Sequence, residues 1–268
     1  MYKKKYQEWL DAPYIDDETK EELRALQGNE DEIEDRFYQN LAFGTAGLRG
    51  IIGAGTNRMN RYTVSEATQG LATAIVEEGE EAMKRGVVIG YDVRHKSDEF
   101  ARITAEVLAG NGIHVYLYDQ ITPTPLLSFS VLRLQTIAGV MITASHNPRD
   151  YNGYKAYWEE GSQILDNIAE RIGAGIRQIK DYGAIKTLPL QEAKGHGLIT
   201  MVGRDLVDEY LHEVESRKVT DDIDKNVSIV YSPLNGTGNV FVQEILKRRG
   251  FSNVHIVKEQ ELPDPDFT

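Results

Sequence analysis

Ile137-Ala138-Gly139-Val140-Met141-Ile142 runs straight into Thr143-Ala144-Ser145-His146-Asn147-Pro148, and Tyr151-Asn152-Gly153-Tyr154-Lys155 follows closely. An unbroken apolar run of this length reads as a strand buried on both faces. The hexapeptide after it is rich in turn formers, since Ser, Asn and Pro all favour chain reversal. A small hydroxyl residue is therefore thrown off a strand end into a polar turn. A histidine stands beside it and a lysine lies ten positions on. In open α/β sheets ligands bind outside the carboxyl ends of the strands. This is where a nucleophile or a phosphate acceptor belongs, although the same residues also make a plain loop.

Working outward, Val87-Val88-Ile89-Gly90-Tyr91 predicts a strand. Ser97 is expected as N-cap of a helix that has Asp98 and Glu99 in its first turn, carries Phe100, Ile103 and Val107, and stops at Gly110. His114–Tyr118 predicts the next strand, and Pro123 and Pro125 open a helix through Leu134. Gly153–Trp158 reads as a short strand. Leu165, Ile168, Ile172, Ile176 and Ile179 form one helical stripe ending near Gly183. Residues 1–40 read as short acidic helices, and helical spacing returns at Val64, Ala67, Leu71, Ala74 and Ile75. Strands alternating with helices predict an α/β fold with a mixed, largely parallel sheet between helices.

Periodicity is lost from Leu188 to Gly197, which places a domain boundary between residues 202 and 203. Beyond it a helix over 204–216 leads into a unit that echoes the first. Val227–Tyr231, a helix ending at Gly250 and Val254–Val257 repeat the plan of residues 87–118. One βαβ unit cannot cover both faces of a parallel sheet. Residues 203–268 are therefore expected to be the start of a second, similar α/β domain that is cut short.

Hydrophobic residues make up 41% of the 268 and charged residues 27%, as in an ordinary globular chain. There is no cysteine, which excludes disulfides, thiolate metal sites and a cysteine nucleophile in this sequence. The formal net charge of −12 argues against non-specific nucleic-acid binding. No stretch approaches the ~20 apolar residues of a membrane helix, and the basic start Met1–Tyr6 is not followed by a secretory core. A cytoplasmic protein with a small-molecule partner is the expectation. The sequence carries no signal for oligomeric state.

An anionic substrate would then need a local basic pocket. Arg49 lies in the glycine-rich stretch Phe43–Gly53, where the backbone can approach a ligand closely and an arginine can clamp a phosphate. Such a stretch also reads as a flexible edge hairpin. Arg94, His95 and Lys96 follow the strand that ends at Tyr91. Asn147 and the backbone N–H groups of the serine turn could bind phosphate oxygens. His146 and Lys155 could offset charge or move protons. Ser145 lacks the Gly-x-Ser-x-Gly frame of a hydrolase nucleophile, so phosphate chemistry is favoured over acyl chemistry. No dinucleotide or Walker fingerprint occurs.

Phe43-Gly44-Thr45-Ala46-Gly47-Leu48-Arg49-Gly50, Gly90–Arg94, Pro123-Thr124-Pro125, Thr143–Pro148 and Asn152–Lys155 together resemble, in this order, the α-D-phosphohexomutase family. The likeness spans about 40 to 268. It implies a phosphoglucomutase-type first domain over residues 1–202, N-terminal helices included, and part of a second over 203–268. It implies that Ser145 carries a phosphoryl group that passes to a sugar phosphate and returns from a bisphosphate intermediate such as glucose 1,6-bisphosphate. It also implies Mg²⁺ bound through a phosphoserine oxygen on Ser145, with the other ligands beyond Thr268. Arg49, His146 and Lys155 match catalytic positions, and Thr45, Arg94 and Asn147 match phosphate- or substrate-contacting ones. The family's aspartate-rich metal loop is not present, and Asp264-Pro265-Asp266 resembles it only superficially. The fragment alone is expected to be inactive. The substrate expected first is glucose 1-phosphate, with mannose and pentose phosphates as alternatives. A non-catalytic phosphosugar-binding module and a serine hydrolase are the readings from other classes.

Overall fold

The computed structural model describes residues 1–268. Three short helices, α1 (Tyr2–Asp11), α2 (Asp17–Ala25) and α3 (Glu30–Phe37), precede β1 (Leu48–Ile51). Then come α4 (Arg61–Glu77), α5 (Glu80–Arg85), β2 (Val87–Tyr91), α6 (Ser97–Gly110), β3 (Val115–Tyr118), α7 (Thr124–Leu134) and β4 (Ala138–Ile142). β5 (Tyr151–Trp158), α8 (Asp166–Gln178), α9 (Leu190–Gly195) and β6 (Ile199–Val202) complete the larger layer structure. The chain continues through α10 (Arg204–Ser216), β7 (Ile229–Tyr231), α11 (Asn239–Arg248) and β8 (Val254–Ile256). No helix is long and apolar enough to cross a membrane.

Six strands form one mixed sheet in the order β1-β5-β4-β2-β3-β6. β4, β2, β3 and β6 run parallel, while β5 is antiparallel to both β4 and β1. The α/β expectation therefore holds, with a two-strand antiparallel edge that the alternation of elements did not reveal. The glycine-rich stretch becomes that edge: β1 pairs Arg49 with Gly153.

Strand periodicity sorts the core. Val87, Ile89, Ala138, Val140, Ile142, Tyr154 and Ala156 face one cluster that includes residues of α4, α6 and α8. Val88, Met141 and Tyr157 face the other, with Leu126, Leu127 and Val131 of α7 and Leu206, Val207 and Leu211 of α10. Side chains alternate between faces with a period of two, so the parallel strands must be apolar throughout. On the first face α4 and α8 cross where Gly70 meets Gly175; a Cβ on Gly70 would stand 2.7 Å from the Ile172 carbonyl oxygen.

Some local expectations are corrected. Ser97 is not the N-cap of α6. Lys96 holds that position in a left-handed conformation, φ 65°. Ser97 is instead the first helical residue, fully buried, with its hydroxyl turned to Asp92. The stretch expected to be irregular, 188–197, contains the short helix α9. Leu165 lies outside its stripe, 70% exposed at the N-cap of α8. β6 pairs with β3, so the first sheet continues up to Val202.

The echo is present as topology. β2–α6–β3 and β7–α11–β8 are both parallel βαβ units, with Val87 opposite Val115 in the first and Ile229 opposite Val254 in the second. Phe241 of α11 joins the cluster made by α7 and α10, which ties this unit to the larger one.

Candidate active site

Register puts the polar residues together. Met141 lies opposite Lys155 across β4 and β5, and Arg49 lies opposite Gly153 across β1 and β5. Residues directly opposite share a face. Arg49, Lys155 and Met141 therefore stand on the same side of the sheet, the side that also carries Tyr157. The turn after β4 opens on this side. Ser145 borders a cleft of about 310 Å³ with Asp92, Val93, Met141 and Thr143 on one wall. Pro233, Gly236, Thr237 and Gly238, from the turn between β7 and α11, form the other wall, with Phe267.

The serine turn is held from behind. Arg94 is 4% exposed, and its two terminal nitrogens donate to four carbonyls. These are Pro148 O at 2.7 Å, Tyr151 O at 3.0 Å, Ser145 O at 3.1 Å and Asn147 O at 2.6 Å. A planar guanidinium is suited to serving several acceptors at fixed angles. The expectation that Arg94 contacts phosphate must be revised, because its terminal donors are occupied by the loop it supports. Burial pulls this guanidinium below its ordinary pKa; Asp92 opposes that, and Arg49 adds to it.

Ser145 is exposed. Its Oγ lies 3.3 Å from Nδ1 of His146. Asn147 faces Arg49, which donates to its Oδ1 at 3.0 Å. Lys155 is half-buried and forms no ion pair. Burial lowers its pKa and the neighbouring Arg49 lowers it further, against a raising influence from Asp92. Less work is then needed to take a proton from it than from a surface lysine. Thr45 is exposed in a tight turn closed by reciprocal backbone bonds between Gly44 and Gly47. That turn lies against β5: a Cβ on Gly47 would fall 1.9 Å from the Tyr154 carbonyl oxygen, at a φ of +75°. Gly47→Ala is therefore expected to destabilise the protein by more than about 2 kcal/mol, read as a lower melting temperature. An unchanged melting temperature would show that the turn does not pack this way.

Several contributors were not singled out from sequence. Asp92 and Thr143 form a buried hydrogen-bonded chain beneath Ser145. Asn152 donates from Nδ2 to the His95 carbonyl and to Ser97 Oγ, both at 2.9 Å. Their signal was only that polar residues stand where buried strands end. Asp266 also reaches the rim. Its Oδ1 lies 3.0 Å from Nε2 of His95 and 3.5 Å from Arg149, while Phe267 packs 5.3 Å from the Arg94 guanidinium carbon. No three His, Asp or Glu side chains gather as a ready-made cation site.

The description "Phosphoglucomutase/phosphomannomutase, alpha/beta/alpha domain I" matches residues 40–183, which hold all the residues of this site except the β7–α11 turn and the final segment. This chain belongs to the phosphoglucomutase/phosphomannomutase family. The family's domain II description matches residues 208–268. The chain is 37% identical over 246 residues to a phosphoglucomutase of Staphylococcus haemolyticus, covering 88% of this chain and 42% of that protein. It is 36% identical over 254 residues to a phosphopentomutase of Pongo abelii, covering 90% of this chain and 40% of that one. A Thermus thermophilus structure assigned as a phosphomannomutase superposes with a TM-score of 0.69 at 27% identity, covering 85% of this chain and 48% of that chain. The chain thus spans about 42% of the length of the Staphylococcus relative.

Proposed function

We propose that this chain carries the phosphoserine part of a phosphosugar mutase active site, with Ser145 as phosphoryl carrier. The observation that supports this best is Ser145 itself. It is an exposed hydroxyl at the carboxyl end of β4, on the cleft side, with two cations, Arg49 and Lys155, on the same face of the sheet. A phosphoserine carries nearly two negative charges at neutral pH. In a chain of net charge −12 such a group needs local cations.

In the reaction we infer, a sugar hydroxyl attacks phosphorus on Ser145. The P–Oγ bond breaks as the new P–O bond forms, the hydroxyl proton leaves to a base, and the departing Oγ takes up a proton to become the serine hydroxyl again. Lys155, half-buried beside Arg49 with its pKa lowered by burial, and His146, which lies beside the serine oxygen, are the side chains placed to exchange that proton. The resulting sugar bisphosphate turns over, and its other phosphoryl group returns to Ser145. Arg49 and Asn147 would meet phosphate oxygens, and Thr45 would contact substrate from its turn. The Mg²⁺ implied by the family has no donor set among these residues beyond oxygens of a phosphorylated Ser145, so no step is assigned to it here.

Glucose 1-phosphate to glucose 6-phosphate is the conversion we favour, since several relatives are phosphoglucomutases. The phosphopentomutase likeness is nearly as strong, so a pentose phosphate is the alternative. We place the division between the two family domains at residues 202/203, where the first sheet ends in β6. Incubating full-length protein with glucose 1,6-bisphosphate and Mg²⁺, then mapping phosphopeptides, is expected to put phosphate on Ser145. Turnover without phosphate there would overturn the mechanism. Sugar-phosphate binding with neither label nor turnover would instead indicate a binding module.

A further inference from the structure

Within the serine loop only Ser145 has a positive φ, +61°. A non-glycine residue in this region costs about 1 kcal/mol or more and persists where the surroundings hold it. The hold is visible. Ser145 N–H donates to Thr143 Oγ1 at 2.9 Å, and Thr143 Oγ1–H donates to Asp92 Oδ2 at 2.5 Å. A threonine hydroxyl has one hydrogen. With that hydrogen directed to the carboxylate, its oxygen is left to accept from Ser145.

Asp92 is itself fixed. Its Oδ1 accepts from Ser97 Oγ at 2.7 Å and from Arg94 N–H at 3.0 Å. Arg94 Nε stands 3.4 Å from Oδ2. Asp92 and Thr143 follow the adjacent parallel strands β2 and β4, which are bridged at this level by Asp92 N–H to Ile142 O at 3.0 Å. Asp92 and Thr143 are 8% and 5% exposed. The Arg94 guanidinium and these hydrogen bonds offset the burial of the Asp92 charge, so the carboxylate can hold Thr143 in place.

We propose that Asp92, acting through Thr143, is a positioning residue that sets the Ser145 backbone and so aims Oγ into the cleft. The inference rests on the reading of Ser145 as phosphoryl carrier. Misaiming the serine slows phosphoryl transfer more than it weakens sugar-phosphate binding, because small displacements of a reacting atom are costly. A purely structural role would lower the melting temperature without this split.

The test uses full-length protein and measures the single-turnover rate at which Ser145 takes label from glucose 1,6-bisphosphate. Thr143→Val, which keeps the shape and removes the hydroxyl, is expected to slow labelling about tenfold or more, with the half-saturating concentration within about threefold of wild type. Exchange of the Ser145 amide hydrogen should quicken by about tenfold. Thr143→Ser is expected to restore both. If Thr143→Val does not fold, Asp92→Asn replaces it in the comparison and should show the same slowing. Wild-type labelling rates in Thr143→Val, or a Thr143→Ser variant as slow as Thr143→Val, overturn the positioning role alone. A wild-type protein that takes no label at Ser145 removes the phosphoserine reading and this inference with it.

Discussion

Ser145→Ala in the full-length protein is expected to lose sugar-phosphate turnover by on the order of 10⁴-fold or more, because the phosphoryl carrier we propose is gone. The melting temperature should stay close to wild type, since the side chain is exposed and its only polar side-chain neighbour is His146. The loop is held by Arg94, Thr143 and backbone bonds that the substitution leaves in place. Steady-state assay with glucose 1-phosphate, alongside thermal melting, checks both halves. Retained turnover would sink the phosphoserine mechanism, whatever sugar is used.

Arg94→Met is expected to have the largest effect on stability. It leaves four carbonyls without their donor and Asp92 without its neighbouring positive charge. Breaking a buried charge pair from one side costs about 3–5 kcal/mol. Water can reach part of this exposed loop, so the lower end is the better figure. For a chain of this size that is a fall of about 5 °C in melting temperature. Activity should fall by at least about 100-fold, because the serine turn loses its backing. Arg94→Lys should recover little, since an ammonium has three donors and no planar fork. A melting temperature within about 2 °C of wild type in Arg94→Met would mean that the four bonds do not hold the loop.

The two variants separate the roles of neighbouring residues. Ser145 lies on the cleft and carries the chemistry we propose; Arg94 lies beneath it and carries geometry. Sequence reading put both in the site but treated Arg94 as a phosphate contact. The difference between that reading and the hydrogen bonds of Arg94 has a simple source. An arginine after a strand looks the same whether it faces a ligand or turns back into a loop, since its identity specifies five donors and not their acceptors.

Much else was legible. The buried strand before Thr143, the helices carrying Phe100 and Ile172, and the two βαβ units follow from periodicity in the chain itself. The order of motifs from Phe43 to Lys155 identified the family. Local errors fell where propensity competes with tertiary bonds. Ser97 has the composition of an N-cap, yet its hydroxyl is drawn inward by Asp92 and Asn152, which leaves Lys96 to turn the chain.

By itself the sequence determined most of the elements, the α/β class, the family and the serine turn on which our proposal centres, because each depends on residues near one another in the chain. The tertiary structure decided what surrounds that serine. Thr143 reaches Asp92 across 51 positions, and Arg94 reaches Tyr151 across 57. Arg49 meets Asn147 across 98. The sheet order β1-β5-β4-β2 brings these partners together. No periodicity in the sequence encodes that order, because it arises from how the strands bury their faces and not from the spacing of residues along any one of them.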